Sequence, residues 1–535
     1  MKLIDVYSRR NLLVLAAGVI FIFISYKVWY LTEEPGEDKD CNPLFPDEAD
    51  GTNLQIAPAD ESTIAWFRRG GYLNDASCLD ETAVYGVVKI TSEEDVANAL
   101  AYAATRDLQV SVAGVKHSMG GQAFAKGALV LDMTSFNAIT LNATSSTVIV
   151  RAGATWHEIQ KVIHPQFAIM SMQSTDVFSV GGSISVNAHG MDHRSGAVEN
   201  SINSLKVMLP DGTIKTVSRT ENTDLYEMVV GGYGLSAVIL EAELKLVPNE
   251  LYTSRREIIS YQDFPARFTD INQNDNIGLM YTHLSTAPGE SFLKEGIMYI
   301  YEKSDEDVAL ADIPPLGEVS GVKLRRLLMN VSKYGGAWQT LRWWGEKYIE
   351  PKMESCSISR NAAQSSGEAC LVSRNEPMHD SVPYLYNSLK KETDILHEYF
   401  IPRDNLVAFI DTLRTIMVEE EVNLLNASIR VVNAERGYLT YAPEEAFSVV
   451  LYINQKTTPE ADIKMKRVTQ LLIDASTAVG GRFFLPYQLH YTPLQLKTAY
   501  PTIDEFFAKK RVYDPQELLG NTWYNRYGKS EAISI

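Results

Sequence analysis

Cysteine is scarce in this 535-residue chain, which has four: Cys41, Cys78, Cys356 and Cys370. None lies in a C-x-x-C pair, which argues against thioredoxin-type redox chemistry and the common zinc modules. Cys356 and Cys370 can close a loop in an oxidising compartment, and unpaired buried thiols are the alternative. Positive charge is also short. Lys and Arg total 49 against 67 Asp and Glu, a formal net charge of −18. That sign argues against nucleic acid or an anionic membrane surface as a general partner, since both demand positive fields. Repeats and low-complexity tracts are missing. What remains, 45% hydrophobic and 22% charged, is ordinary for a folded protein long enough for two domains and an appendage.

Long apolar runs are lacking, with one exception. Leu12–Tyr26 is apolar throughout and Val28–Leu31 extends it, with Lys27 as its only charge. About 20 residues suffice to cross a bilayer, and a lysine near one end can snorkel to the interface. Lys2, Arg9 and Arg10 precede the run, and Glu33, Glu34, Glu37, Asp38 and Asp40 follow it. The positive-inside rule then predicts a single-pass anchor with the body on the non-cytoplasmic side. A cleavable signal peptide is the rival reading, but the residues after the run (Lys27, Val28, Trp29, Tyr30) are not small. Ser8–Leu13, SRRNLL, also resembles a twin-arginine export signal; two arginines that only set topology are the alternative. We expect an anchor over 1–31 and an acidic, Pro- and Gly-containing linker over 32–55.

The stretch richest in chemical meaning is Val110–Leu131, VSVAGVKHSMGGQAFAKGALVL. It reads as two apolar strands around a turn of small residues. Glycines let backbone N–H groups approach an anion closely. An ordinary tight hairpin is the bland alternative. Upstream, Val84–Ile90 reads as a strand, and Thr91-Ser92-Glu93-Glu94-Asp95 opens a capped helix. Downstream come VGGSISVNAHGMDHRSG (Val180–Gly196), two strand-like runs around Pro210-Asp211-Gly212, and LYEMVVGGYGLSAVILEAELKLV (Leu225–Val247). Gly232–Ala237 fits the G-x-G-x-x-A dinucleotide fingerprint. Its helix-like stretch precedes it and its strand follows, the reverse of a Rossmann unit.

Together these motifs resemble the vanillyl-alcohol-oxidase (PCMH-type) superfamily of flavoproteins across about 170 residues. The most detailed resemblance is to the oxidase subunits of decaprenylphosphoryl-ribose 2-epimerases, through VGGSI…HGMDHRSG, GGYGLSAVIL and GGRFFL…AYPTIDEFF. The resemblance implies an α+β fold: a two-subdomain PCMH-type FAD-binding domain (56–250), an inserted α+β substrate or cap domain (251–478), and a C-terminal segment (479–535) returning to the FAD domain. It implies FAD held by Ala113, Gly114, Val115, Lys116, His117, Ser118, Gly121, Gln122, Val180, Gly181, Gly182, Ser185, His189, Gly190 and Ile239. The Gly232–Ala237 loop would lie beside the adenine half.

His117 matches the loop histidine of cytokinin dehydrogenases and alditol oxidases, and the resemblance makes it the candidate for covalent attachment to the flavin; a histidine that hydrogen-bonds without a covalent link is the alternative. The epimerase subunits generally lack this histidine. Glu398, in HEYFIP, falls where those subunits carry an active-site glutamine, and is a candidate base or substrate ligand; a solvated glutamate on an edge strand is the alternative. Tyr487 stands where they carry a lysine, and Val450 where they carry a cysteine. A phenol with a pKa near 10 cannot replace a cation, so their lipid-linked ribose substrate is placed in doubt. Arg430 and His490 are weaker candidates.

His189 and His193 are four apart in H-G-M-D-H, a metal-ligand spacing only on a helix, and the glycines around them oppose one, so no metal is expected. Lys323–Tyr348 is basic and aromatic, a membrane-touching lid or a packed helix. The activity implied is oxidation of a CH–OH group of a sugar, polyol, lactone or related alcohol by hydride transfer to flavin. A small-molecule substrate and an acceptor (oxygen, a quinone or a redox protein) are then required. The alternatives are a C–N-oxidising enzyme of the cytokinin dehydrogenase type and a non-catalytic flavin-binding protein.

Overall fold

The computed structural model describes residues 19–34, 45–46, 64–306, 308–349, 371–386 and 389–529. The two arms of the glycine-rich stretch are indeed strands, Val110–Ala113 and Leu129–Asp132, but they pair parallel to each other. A hairpin is therefore excluded, since a two-residue turn joins only antiparallel strands and parallel ones need a longer crossover. These strands belong to a four-stranded sheet with Gly86–Lys89 and Trp66–Arg69. The helix Glu93–Ala104 covers it. Its Ser92 N-cap forms the capping box expected from sequence, reciprocated by Asp95.

A second, six-stranded sheet runs Ile214–Val217, Ile202–Met208, Val238–Pro248, Thr147–Arg151, Ile139–Asn142, with Phe167–Ile169 also paired to Val238–Pro248. The Pro-Asp-Gly turn joins its first two strands, closed by Leu209 N–H donating to Thr213 O. The helix Thr223–Val229 precedes the Gly232–Ala237 loop and the strand Val238–Pro248 follows it, so the loop does not have Rossmann order. Val150, Leu205, Val207, Val238 and Leu240 are wholly buried in the core shared by these sheets.

The cap sheet has eight strands, in the order Leu371–Ser373, Leu251–Ser260, Glu295–Lys303, Ile277–Leu284, Asn423–Val432, Ala446–Lys456, Glu392–Pro402, Arg482–Phe483. Helices Leu406–Glu419 and Pro459–Ala478 pack on it through apolar positions at helical spacing, including Phe409, Leu413, Val468 and Leu472. The C-terminal segment folds back on the first sheet: Val110 N–H donates to Leu518 O, and Gly520 N–H to Val110 O.

Residues 19–32 are helical. Among the described residues no helix is long and apolar enough to cross a membrane. Leu12–Gly18, the first part of the apolar run, lie outside the described residues, as do Cys41, Cys356 and Cys370. Cys78 is disulfide-bonded.

Candidate active site

A cavity of about 2530 Å³ lies between the two sheets and the cap. The glycine loop forms one wall, with Gly114, Val115, Lys116, His117, Ser118 and Gln122 lining it. Contacts with distant segments fix the loop. Gly121 N–H donates to Asp75 Oδ2 at 2.9 Å, Met119 N–H to Pro486 O at 2.8 Å, and Gln122 Nε2 to Leu485 O at 2.8 Å. Gly121 has φ +69° and Lys116 φ +56°, so the loop spends two residues in the left-handed region. Gly114 is required for another reason. A Cβ there would meet Ser179 Oγ at 2.1 Å.

Beside the loop runs the short helix Val180–Ser185, from which Gly181, Gly182 and Ser185 reach the cavity, together with His189 and Ile239. Ala113, Gly121, Val180 and Gly190 support the walls without lining them. Val180 and Gly181 N–H donate to Ala154 and Ala152 O, and a Cβ on Gly190 would sit 1.9 Å from Met172 O. Tyr233, Gly234 and Ala237 of the Gly232–Ala237 loop line the same space.

His117 packs edge-on against Phe178, ring centroids 5.1 Å apart, and burial pushes its pKa down to about 4. Its imidazole is therefore neutral at ordinary pH. Ser118 Oγ and Ser174 Oγ are buried, line the cavity and have no hydrogen-bond partner among the described residues. Buried hydroxyls are normally satisfied, so these two fit a polar ligand.

Glu398 lies inside the cap sheet, on Glu392–Pro402, between Ala446–Lys456 and Arg482–Phe483. It is 5% exposed, so the solvated edge glutamate is excluded. Its Oε1 is 2.6 Å from His189 Nε2 and accepts from Ser448 Oγ at 2.5 Å. Its Oε2 accepts from Tyr487 Oη at 3.2 Å. Burial pushes this carboxyl up, but His189, Ser448 and the nearby Arg430 outweigh it, and the net pKa lies below the usual carboxylate range. Tyr487 moves the other way: burial and the Glu398 charge hold its phenol well above 10. The site thus pairs a buried anion with a phenol that keeps its proton. Glu398 and Tyr487 both line the cavity, facing the glycine loop's side of the molecule.

Arg430 and Val450 also line it, and Val450 is the cross-strand partner of Glu398. His490 does not: it bonds Thr469 Oγ1 at 3.0 Å, away from the cavity.

Sequence reasoning missed Asp75, Ser179 and Ser448. Each acts through a contact with a distant segment, and no local pattern marks it. His193, read beside His189, is buried against Phe268, while Asp192 is ion-paired with Arg374; the segment after Ser185 is not helical, so the two histidines share no helix face. A different cluster emerges. His157 Nδ1 and His379 Nδ1 lie 2.8 and 3.0 Å from Oδ2 of the buried Asp176, their rings stacked at 4.6 Å. Among the described residues this is the one His/Cys/Asp/Glu group compact enough to consider for a metal. The two stacked rings are nearly parallel, at 10°, and both bring Nδ1 to the same oxygen of Asp176. The cluster fits a hydrogen-bonded clamp on Asp176, three residues before the N-cap Ser179.

A family model described as an FAD binding domain matches residues 84–218. An uncharacterized oxidoreductase of the fasciation locus of Rhodococcoides fascians is 33% identical over 28% of this chain and 35% of its own length. Cytokinin dehydrogenase 2 of Arabidopsis thaliana is 28% identical over 40% of this chain and 43% of its own. Decaprenylphosphoryl-beta-D-ribose oxidase of Mycolicibacterium smegmatis is 28% identical over 31% of this chain and 37% of its own. The matched region thus spans about a third to two-fifths of these relatives. The FAD-binding model covers the glycine loop, the Val180–Ser185 helix and the strands between them, and residues 84–218 are accordingly an FAD-binding domain, with FAD as the cofactor.

Proposed function

We propose that this protein is an FAD-dependent oxidoreductase that oxidises a CH–OH carbon of a sugar, polyol, lactone or related alcohol. The observation that carries the reading is the ionised, buried Glu398, hydrogen-bonded by Ser448 and Tyr487, in the same cavity as the glycine loop. FAD supplies the hydride acceptor. Glu398 takes the hydroxyl proton as the C–H hydride leaves, so that alcohol becomes carbonyl and two electrons pass on to oxygen, a quinone or a redox protein. A base ionised at neutral pH and shielded from water is fitted to that step. Tyr487 orients the second carboxylate oxygen and donates to it. Ser118, Ser174 and the backbone around Gly114 would hold the cofactor's polar groups. His117, neutral and facing the cavity, would attach covalently to the flavin's methyl edge.

Support for the alcohol class comes from relatives named for a ribose and for D-arabinono-1,4-lactone. Cytokinin dehydrogenase 2 is matched over more of the chain, so oxidation at a C–N carbon by the same base is the second reading. Residues 12–31 would anchor the body to a membrane, which the positive-inside pattern places on the non-cytoplasmic side. Anaerobic mixing with alcohols and with amines tests the substrate class: bleaching of the flavin by an alcohol supports the first reading, and bleaching by amines alone supports the second.

A further inference from the structure

The helix pair Val322–Ser332 and Gly336–Tyr348 turns most of its large apolar side chains outward. On the first helix the buried side chains are Arg326, Asn330 and Ser332, while Leu324 and Leu328 are each 57% exposed. On the second, Trp343 is buried and seats the helix on the cap sheet, while Trp338, Leu341 and Trp344 are about half exposed. An amphipathic helix on a globular body presents the opposite arrangement. The polar side is engaged inward. Arg342 Nη1 donates to Leu425 O at 2.7 Å, Lys333 Nζ pairs with the buried Asp394 at 2.6 Å, and Lys347 with Glu295 at 2.8 Å. The apolar side is therefore not a packing accident; the pair is held with that face outward.

The same pair receives the end of the N-terminal helix. Asn330 Nδ2 donates to Leu31 O at 2.9 Å, and Arg326 Nη1 to Glu33 O at 3.3 Å. Residues Val19–Ile24 of that helix are exposed apolar side chains all round, an arrangement stable in lipid rather than water. The apolar run continues N-terminally to Leu12, outside the described residues. Lys27, Lys323 and Arg325 are exposed on these same segments, as are Tyr26, Trp29 and Tyr334. Aromatic and basic side chains next to apolar ones are the composition of a bilayer interface. These positive groups stand out in a chain of net charge −18. The cavity reaches this face: Phe23, Trp29, Leu324 and Trp344 line the same space as His117 and Glu398.

We propose that the outward face of Val322–Tyr348 is a second membrane contact, a bilayer-docking surface that seats the mouth of the active-site cavity at the lipid headgroup level. The proposal rests on the anchor reading above, and goes beyond it by making the cap itself a lipid-binding element. The cavity then draws its substrate or its electron acceptor from the interface.

The test uses the full chain in phosphatidylcholine vesicles containing phosphatidylglycerol. Leu341→Cys carries an environment-sensitive fluorophore attached without reductant, and Leu494→Cys, 74% exposed on the helix Pro493–Ala499, is the control. In vesicles the Leu341 label shifts to the blue and is quenched several-fold by a lipid-borne quencher, while the Leu494 label does not change. A chain that floats with vesicles but keeps the Leu341 label as wet as the control overturns the docking surface and leaves the anchor standing. A chain that does not float overturns both. Shielding already complete without vesicles means that a second copy covers the face, and overturns the proposal.

Discussion

At the scale of single residues, Glu398 concentrates the chemistry. Glu398→Gln keeps the side chain's shape and two of its hydrogen-bonding positions but removes the base. Turnover should fall about 10²- to 10⁴-fold, the usual contribution of a positioned base, while flavin content is retained. Tyr487→Phe removes one hydrogen bond, worth about 1 kcal/mol or a fivefold change in rate. The pH profile follows from the direction of the Glu398 shift. A carboxyl held below its ordinary value is ionised across neutral pH. The rate should stay flat there and fall only in acid, as pH drops through that lowered value; stability contributed by the ionised form is lost over the same acid range. A kcat/KM profile that instead declines between pH 6 and 8 contradicts this assignment. His117 is neutral down to about pH 4, so its lone pair is available for attachment. His117→Ala should release flavin into the supernatant on acid precipitation, where the parent protein retains it.

Elements place those residues, and here the sequence was unevenly legible. The capped helix at Glu93 and the Pro-Asp-Gly turn follow from local patterns, because caps and turns act over a few residues. The parallel pairing around the glycine loop did not, since two apolar runs flanking a turn look the same in a hairpin and in a crossover. Nor did the His189–Glu398–Ser448 contact, whose members are 209 and 50 residues apart. Gly114 offers a test at this scale. Gly114→Ala brings a Cβ to 2.1 Å from Ser179 Oγ, so FAD affinity should fall at least about tenfold, equivalent to about 1.4 kcal/mol. Adding Ser179→Ala removes the close atom and leaves only Ser179 Cβ at 3.2 Å, so the double variant should recover most of the loss. Equal defects in single and double variants, read by flavin titration, would show that the loop's conformation rather than this contact requires glycine. The buried Lys333–Asp394 pair fastens the Val322–Tyr348 helix pair to the cap sheet. Lys333→Met leaves Asp394 buried and uncompensated, and should cost about 3–5 kcal/mol in denaturant unfolding.

For the whole molecule, the basic and aromatic segment 323–348 shows where sequence reading stops. Composition alone left a lid and a packed helix open; only the direction of its polar face, fixed by partners such as Leu425, Asp394 and Glu295, shows that its apolar side is turned outward. The same architecture sets the Glu398 side of the cap sheet against the glycine loop of the FAD domain across one cavity. The central claim is that a substrate alcohol is oxidised in that cavity with Glu398 as base. Anaerobic stopped-flow reduction of the bound flavin by a panel of sugars, polyols and lactones, run on the parent protein and on Glu398→Gln, tests it most directly. At least one alcohol should bleach the parent's flavin, with the variant slower by 10²-fold or more at unchanged flavin content. Bleaching at the same rate in both proteins, or a flavin that no alcohol reduces, would contradict it.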